Sequence, residues 1–333
     1  MKIAIITPYN QEIYGGVEIA NKKINYVFNK YNHNVDFITL KTSENLNIKK
    51  NRIKNKIFGD VYLTSEAFKK TKKNYDLVIC NGEYGFGIDH ENCINIFHGS
   101  YEGFRKYLKG NISYINYIKM KKKAYIQKLS SKGKYIVTVS KFMENILNEQ
   151  GINVDKIINL GIDTSHFKPL DLKTIKKYIF VGSYENKGFS KGFDILRKIS
   201  ACGYEIDCVT SEDPGNELGY LGNINNKLLP EIYNEYKMLI FPSRFEALGL
   251  VPLEAMSCGL PIVTSNVGIG YELKEYIPEF VVEDWNYKNY IHQIEVINNN
   301  YNLYSRKARE FVLNNYSFEN FENKLMEMVN EIL

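Results

Sequence analysis

Short apolar runs alternate with hydrophobic residues at helical spacing from the start of the chain. Residues 2–7 form an apolar run closed by Pro8, as expected of a strand covered on both faces, which needs no polar alternation. After Gly15-Gly16, the positions Val17, Ala20, Ile24, Val27, Phe28 and Tyr31 return every three or four residues, which predicts a helix with one apolar face. Residues 35–40, 76–80, 93–97 and 135–139 read as further strands. Ser140 then caps a helix running to about Gln150, and Gly151 stops it. This order predicts a mostly parallel, doubly wound α/β sheet.

The pattern breaks near Phe167-Lys168-Pro169 and begins again. Strands are expected at 177–182, 206–210, 238–241 and 261–264, and helices at 191–201, 228–236 and 252–258. From 285 to 333 the pattern is helical with loop breaks. The chain therefore reads as two Rossmann-like domains facing a cleft, 1–165 and 166–333, with a hinge near 165 and a helical C-terminal tail. No internal repeat interrupts this reading.

Composition narrows the picture. At 333 residues, 44% apolar and 24% charged, the chain is not disordered. It has neither a signal-peptide core nor an apolar stretch near the roughly 20 residues of a membrane span, so a cytoplasmic location is expected. The cysteines Cys80, Cys93, Cys202, Cys208 and Cys258 form no CxxC pair and are expected to be reduced core thiols. The net charge of +5 divides into +12 over residues 1–170 and −7 over 171–333. Much of the excess lies in Lys49-Lys50-Asn51-Arg52-Ile53-Lys54-Asn55-Lys56 and in the stretch from Tyr101 to Lys123, where aromatic and basic residues interleave. That mixture suits an anionic membrane surface or a polyanionic acceptor, and equally a packed helix with a solvated lysine face. No nucleic-acid motif accompanies it, and nucleic acid is not an expected partner.

Open parallel sheets bind ligands at the carboxyl ends of their strands, and three such loops stand out. The first ends in Gly15-Gly16-Val17-Glu18. Glycines at a helix start let backbone amides approach an anion, although a simple turn fits the same residues. The second runs from Gly182 to Asp194 and carries Lys191-Gly192, where a lysine can reach a diphosphate or lie in solvent. The third, residues 241–256, holds Glu246 and Glu254, with the amides of Ala247, Leu248, Gly249 and Leu250 between them. Carboxylates accept bonds from sugar hydroxyls and free amides meet anionic oxygens, so this loop suits a polyol attached to a phosphate.

These residues resemble the retaining glycosyltransferases of family 4, with the GT-B fold. Gly15-Gly16-Val17-Glu18 is similar to that family's first-domain glycine loop, and Val139-Ser140-Lys141-Phe142 to its strand-to-helix step. Gly161-Ile162-Asp163 with Phe167 is similar to the interdomain signature, and Lys191-Gly192-Phe193-Asp194 to the KGxD step. Glu246 and Glu254 match the E-x7-E pair. The resemblance implies that the first domain, 1–165, binds the acceptor and the second, 166–333, the nucleotide sugar, that Gly15, Gly16 and Lys191 bind the donor diphosphate, and that Glu254 holds the ribose. It also implies that Glu246 and His98 lie beside the donor sugar. Ser183 stands where the family carries Arg, and Leu160 where it carries Asn; Lys187 and Arg244 are the candidates to replace the missing guanidinium.

The implied activity is metal-independent, hexosyltransferase-type transfer with retention. The donor is a nucleotide sugar, expected to be a UDP-sugar, and the acceptor a glycan, lipid-linked or other anionic molecule, with no cofactor. No Asp-x-Asp occurs in the chain. Contact with the inner face of a membrane is a further expectation. A GT-B-like epimerase or phosphorylase, or a non-catalytic nucleotide-sugar or polyanion-binding protein, is the alternative reading.

Overall fold

The structure is a computed structural model and describes residues 1–9, 15–46, 48, 52–71, 73–172 and 177–333. Two six-stranded parallel sheets organise it. The first contains β1 (Lys2–Ile6), β2 (Asn34–Ile38), β3 (Leu77–Asn81), β4 (Cys93–Phe97), β5 (Tyr135–Thr138) and β6 (Lys156–Ile157), in the order β2-β1-β3-β4-β5-β6. The second contains β7 (Tyr178–Val181), β8 (Ile206–Val209), β9 (Gly219–Gly222), β10 (Met238–Phe241), β11 (Ile262–Ser265) and β12 (Val281–Val282), in the order β12-β11-β10-β7-β8-β9.

Every residue of β3, β4, β7 and β10 is buried, as helices on both sheet faces require. The short edge strands were not legible in the sequence: β6 and β9 lack that apolar signal, and the two valines of β12 are too short a run to mark a strand. The first strand ends at Ile6 and the second at Ile38, each short of the expected bound. Four of the five cysteines lie in the core as expected, but Cys202 is exposed in the turn after the helix Phe193–Ser200.

The C-terminal helix, Phe318–Ile332, follows the second domain in the chain but packs on the first. Its Glu322 and Glu331 pair with Lys30 and Lys156, 2.5 and 2.6 Å away. At its start, Ile162 donates its amide to the Tyr316 carbonyl at 2.7 Å and accepts from the Phe318 amide at 2.9 Å. A side chain at Gly161 would meet the Phe318 Cα at 2.7 Å, so this glycine of the interdomain signature is there for close passage of the helix. Arg309 ties down the same segment through the carbonyls of Thr164 and Phe167.

On the outer side of the first domain, the basic helix Tyr114–Ser130 meets the helix Arg52–Phe58, where Lys122 donates to the Lys56 carbonyl at 2.9 Å. Ile53 and Ile115 are 73% and 67% exposed there, so these positions face outward and are not core packing. Lys49, Lys50 and Asn51 lie outside the described residues. No described helix is long and apolar enough to cross a membrane.

Candidate active site

The loops after β7 and β10 are laced together. Gly192 has φ +77°, and a Cβ there would stand 2.2 Å from the Pro242 carbonyl oxygen, so only glycine allows the two loops to touch. Beside this contact the Arg244 amide donates to the Ser190 carbonyl at 2.8 Å. The Arg244 guanidinium binds both Asp194 carboxylate oxygens at 2.7 and 2.8 Å and lies over the Phe189 ring. Arg244 is therefore committed to holding the loops and does not replace the arginine missing at Ser183. The Lys187 side chain lies outside what the structure describes.

This lacing brings Lys191 to Glu246, with Nζ to Oε1 at 2.5 Å. The Ser243 hydroxyl donates to the same oxygen at 2.7 Å. The Glu246 loop is shaped by Gly268 at φ +54°, whose Cβ would fall 2.6 Å from the Leu248 carbonyl oxygen. Gly249, at φ +92°, then opens the helix Leu250–Ser257 without a side-chain cap. Its first amides are left for a ligand, and the helix dipole favours an anion there.

In front of these groups lies a cavity of about 560 Å³, closed on the first-domain side by Gly16, Val17, His98 and Gly99. Ala247, Leu248, Gly249 and Leu250 line it with Lys191 and Glu246. Among the described lining residues Lys191 is the one cation. Leu160, which stands where the resembled family carries Asn, lines it as well.

Two expected residues sit elsewhere. Gly15 does not line the cavity, and the space of its missing side chain is taken by the Glu18 carboxylate, 2.4 Å from an added Cβ. Glu254 is buried behind the cavity, with the Tyr233 hydroxyl donating to it at 3.4 Å. Burial pushes its carboxyl up to about 7, opposed by the charge of Lys23. Lys23 reaches across from the first helix, Gly16–Lys30, to donate to the Gly161 carbonyl. Its own pKa is lowered by burial, against the raising effect of Glu254 and Asp163.

His98 stands at the end of β4 and faces the cavity. A polar chain orients its ring. Asn21 donates to Thr7 at 3.1 Å, Asn81 donates to Asn21 at 3.0 Å, and Asn81 Oδ1 faces His98 Nε2 at 2.9 Å. Because the Asn81 amide is already spent on Asn21, its oxygen must accept, which puts the proton on Nε2. Nδ1 is then a bare acceptor, buried and unpartnered. Burial lowers the ring pKa to about 4, so the imidazole is neutral at physiological pH.

Sequence reasoning missed Phe245, the residue before Glu246. It inserts among Phe104, Tyr107 and Phe142 of the first domain, with centroids 5.7 to 5.9 Å apart, and holds the domains together at the site. Gly103 leaves room for it, since a Cβ there would meet the Phe245 ring at 2.9 Å. Ser140 adds a polar tie: it caps its helix by accepting from the Met143 amide and donates to the Ala247 carbonyl across the cleft. A large aromatic residue in a polar loop was the available signal, but its socket comes from residues 100 or more positions away.

Residues 204–312 match the family model described as glycosyl transferases group 1. The chain is 48% identical over 48 residues to O-antigen chain mannosyltransferase B of Escherichia coli, covering 14% of this chain and 13% of that protein. Its matches span only 13% to 42% of the length of such curated relatives. Sucrose-phosphate synthase from Thermosynechococcus elongatus shares the fold with a TM-score of 0.79 at 19% identity, covering 99% of this chain and 98% of that one. HepE from Anabaena, solved with UDP-glucose, has a TM-score of 0.69 at 14% identity, covering 99% and 100%. The fold is GT-B, and the resemblance to group 1 glycosyltransferases read from the sequence is borne out, without separating family 4 from the rest of the group.

Proposed function

We propose that this chain, whose second domain carries the group 1 glycosyltransferase match, transfers a hexosyl unit with retention from a nucleoside diphosphate sugar to an acceptor hydroxyl. The observation that carries the proposal is the pairing, in one cavity, of a single lysine and an uncapped helix start with a carboxylate and a neutral histidine. Lys191 and the amides after Ala247 meet the diphosphate, while Glu246 and His98 Nδ1 meet sugar hydroxyls. The bond from the anomeric carbon to the diphosphate breaks as the acceptor oxygen bonds that carbon on the same face. The acceptor's proton leaves with the nucleoside diphosphate. Charge on the departing group is met by fixed dipoles and one ammonium. UDP is the favoured nucleotide because the similarly folded HepE was solved with UDP-glucose.

No metal enters this scheme, and the described residues hold no cluster of three or more potential metal-binding side chains. The test is turnover of a panel of UDP-, GDP- and ADP-sugars with octyl glycosides, with and without EDTA. Nucleoside diphosphate should be released only when acceptor is present, and the product should keep the donor's anomeric configuration. EDTA should leave the rate unchanged. An inverted product would overturn retention, acceptor-independent release would overturn transfer, and an EDTA loss restored by Mg²⁺ would overturn metal independence.

The proposal extends to the outer basic patch, as a contact with an anionic membrane. Ile53, Ile57, Ile115 and Ile118 are exposed there beside Lys56, Lys119 and Lys122, an apolar and basic mixture suited to a charged interface. The protein should co-sediment with phosphatidylglycerol-containing vesicles at low salt and release at high salt, each charge contributing about 1 kcal/mol. Ile115→Glu with Ile118→Glu should weaken the association. Failure of the unmodified protein to sediment at low salt would remove this contact.

A further inference from the structure

A second cavity, of about 570 Å³, opens from the first domain beside the one just described. The two share Val17, His98, Gly99 and Phe245 as lining, so they adjoin. Its walls run counter to the charge of the domain around it. Residues 1–170 carry a net +12, yet the ionisable acids lining this cavity are Glu18, Asp60 and Glu83 against the single ammonium of Lys123 among the described residues. That ammonium lies 4.7 Å from the Tyr101 ring centroid and 3.3 Å from its hydroxyl. The Tyr101 hydroxyl in turn donates to Glu83 at 2.7 Å. The Tyr84 hydroxyl, on the same wall, is pushed up by burial and by the charges of Glu83, Asp60 and Glu18.

Five aromatic residues, Tyr9, Tyr84, Tyr101, Phe104 and Phe245, line the same wall, with Asn81, Ser100 and Gln127 as neutral polar groups. His98, whose Nδ1 is buried and unpartnered, lines both cavities. Ring faces and three carboxylates together offer hydrogen-bond acceptors with apolar platforms. A phosphate, sulfate or carboxylate entering here would meet the like charge of these carboxylates. An uncharged sugar offers hydroxyls to these carboxylates and an apolar C–H face to the rings.

We infer that this cavity binds the reacting sugar of the acceptor, and that this sugar is uncharged. Anionic parts of a larger acceptor remain outside, toward the basic helix Tyr114–Ser130, which supplies Lys123 to the rim. The basic charge of the first domain and the acidity of its cavity then serve different parts of one acceptor. The inference rests on the glycosyltransferase reading for the word acceptor, but the binding preference does not depend on turnover.

The test is ligand-observed NMR in the presence of UDP, comparing octyl glucoside, octyl galactoside and octyl mannoside with octyl glucuronide and octyl galacturonide. At least one neutral glycoside should bind about tenfold or more tightly than either uronide, the scale of a like-charge penalty at partly solvated contact. Glu83→Gln, which keeps an acceptor for Tyr101 and removes a charge, should shrink that ratio at least threefold. If Glu83→Gln does not fold, Asp60→Asn at its exposed position reads the same effect. Equal or tighter uronide binding, no binding by any glycoside, or a ratio unmoved by these folded variants would overturn the inference. Neutral binding without transfer from any nucleotide sugar would remove the enzymatic reading and leave the cavity's preference standing. Transfer to uronides alone would do the reverse.

Discussion

Glu246→Ala should abolish transfer while leaving affinity for the nucleoside diphosphate unchanged or tighter. Loss of one preorganised polar group at a reacting centre typically costs about 10²–10³ in kcat. The second half of the expectation comes from the Lys191–Glu246 contact at 2.5 Å. In the ligand-free protein this carboxylate competes with the diphosphate for the lysine, and alanine removes the competitor. Both side chains are partly exposed and Glu246 lies in a loop, so stability should change by about 0.5 kcal/mol or less. The measurements are steady-state transfer rates, titration calorimetry with UDP, and a thermal melt. Normal turnover by folded Glu246→Ala protein would sink the assignment, and a large loss of UDP affinity would show that Glu246 holds the diphosphate site together.

Lys191→Met should weaken nucleoside diphosphate binding by about 1.5–3 kcal/mol, a factor of roughly 10 to 150, as for a charge-assisted hydrogen bond. The nucleoside monophosphate should lose much less, because the missing ammonium faces the phosphates. Part of the loss reflects the Glu246 carboxylate left facing the anion, so the double variant Lys191→Met with Glu246→Ala should recover some affinity. Calorimetry on the four proteins of the cycle separates the two contributions. Equal affinity of Lys191→Met for the diphosphate and the monophosphate, at unmodified strength, would remove Lys191 from the site.

Much of this was legible before any coordinates, and the reason is local. A strand buried on both faces is largely apolar, so β1, β3, β4, β7 and β10 announce themselves in the chain. Ser140 caps a helix because its hydroxyl reaches an amide three residues on. Lys191-Gly192 and the Glu246 loop were likewise recognisable, since a loop's chemistry is written in consecutive residues. Edge strands β6 and β9 escaped because short, half-exposed strands lack that pattern, and β12 because two buried valines are too short a run to show it.

What the sequence by itself determined is therefore the set of parallel strands, the loops at their carboxyl ends, and the residue types those loops can offer a nucleotide sugar. Only the tertiary structure decided how they are used. Arg244 was free to serve a diphosphate until Asp194, fifty positions away, was seen to hold it. The C-terminal helix belongs to the second domain by chain order and to the first by its contacts with Lys30 and Lys156. The first domain is basic in sum yet acidic in the cavity that Glu18, Asp60 and Glu83 line. Each of these outcomes turns on which groups come within about 4 Å, where charges pair, repel or are desolvated. Local sequence pattern carries no record of neighbours fifty or more residues apart, so charge pairing and cavity chemistry become readable only once the chain has folded.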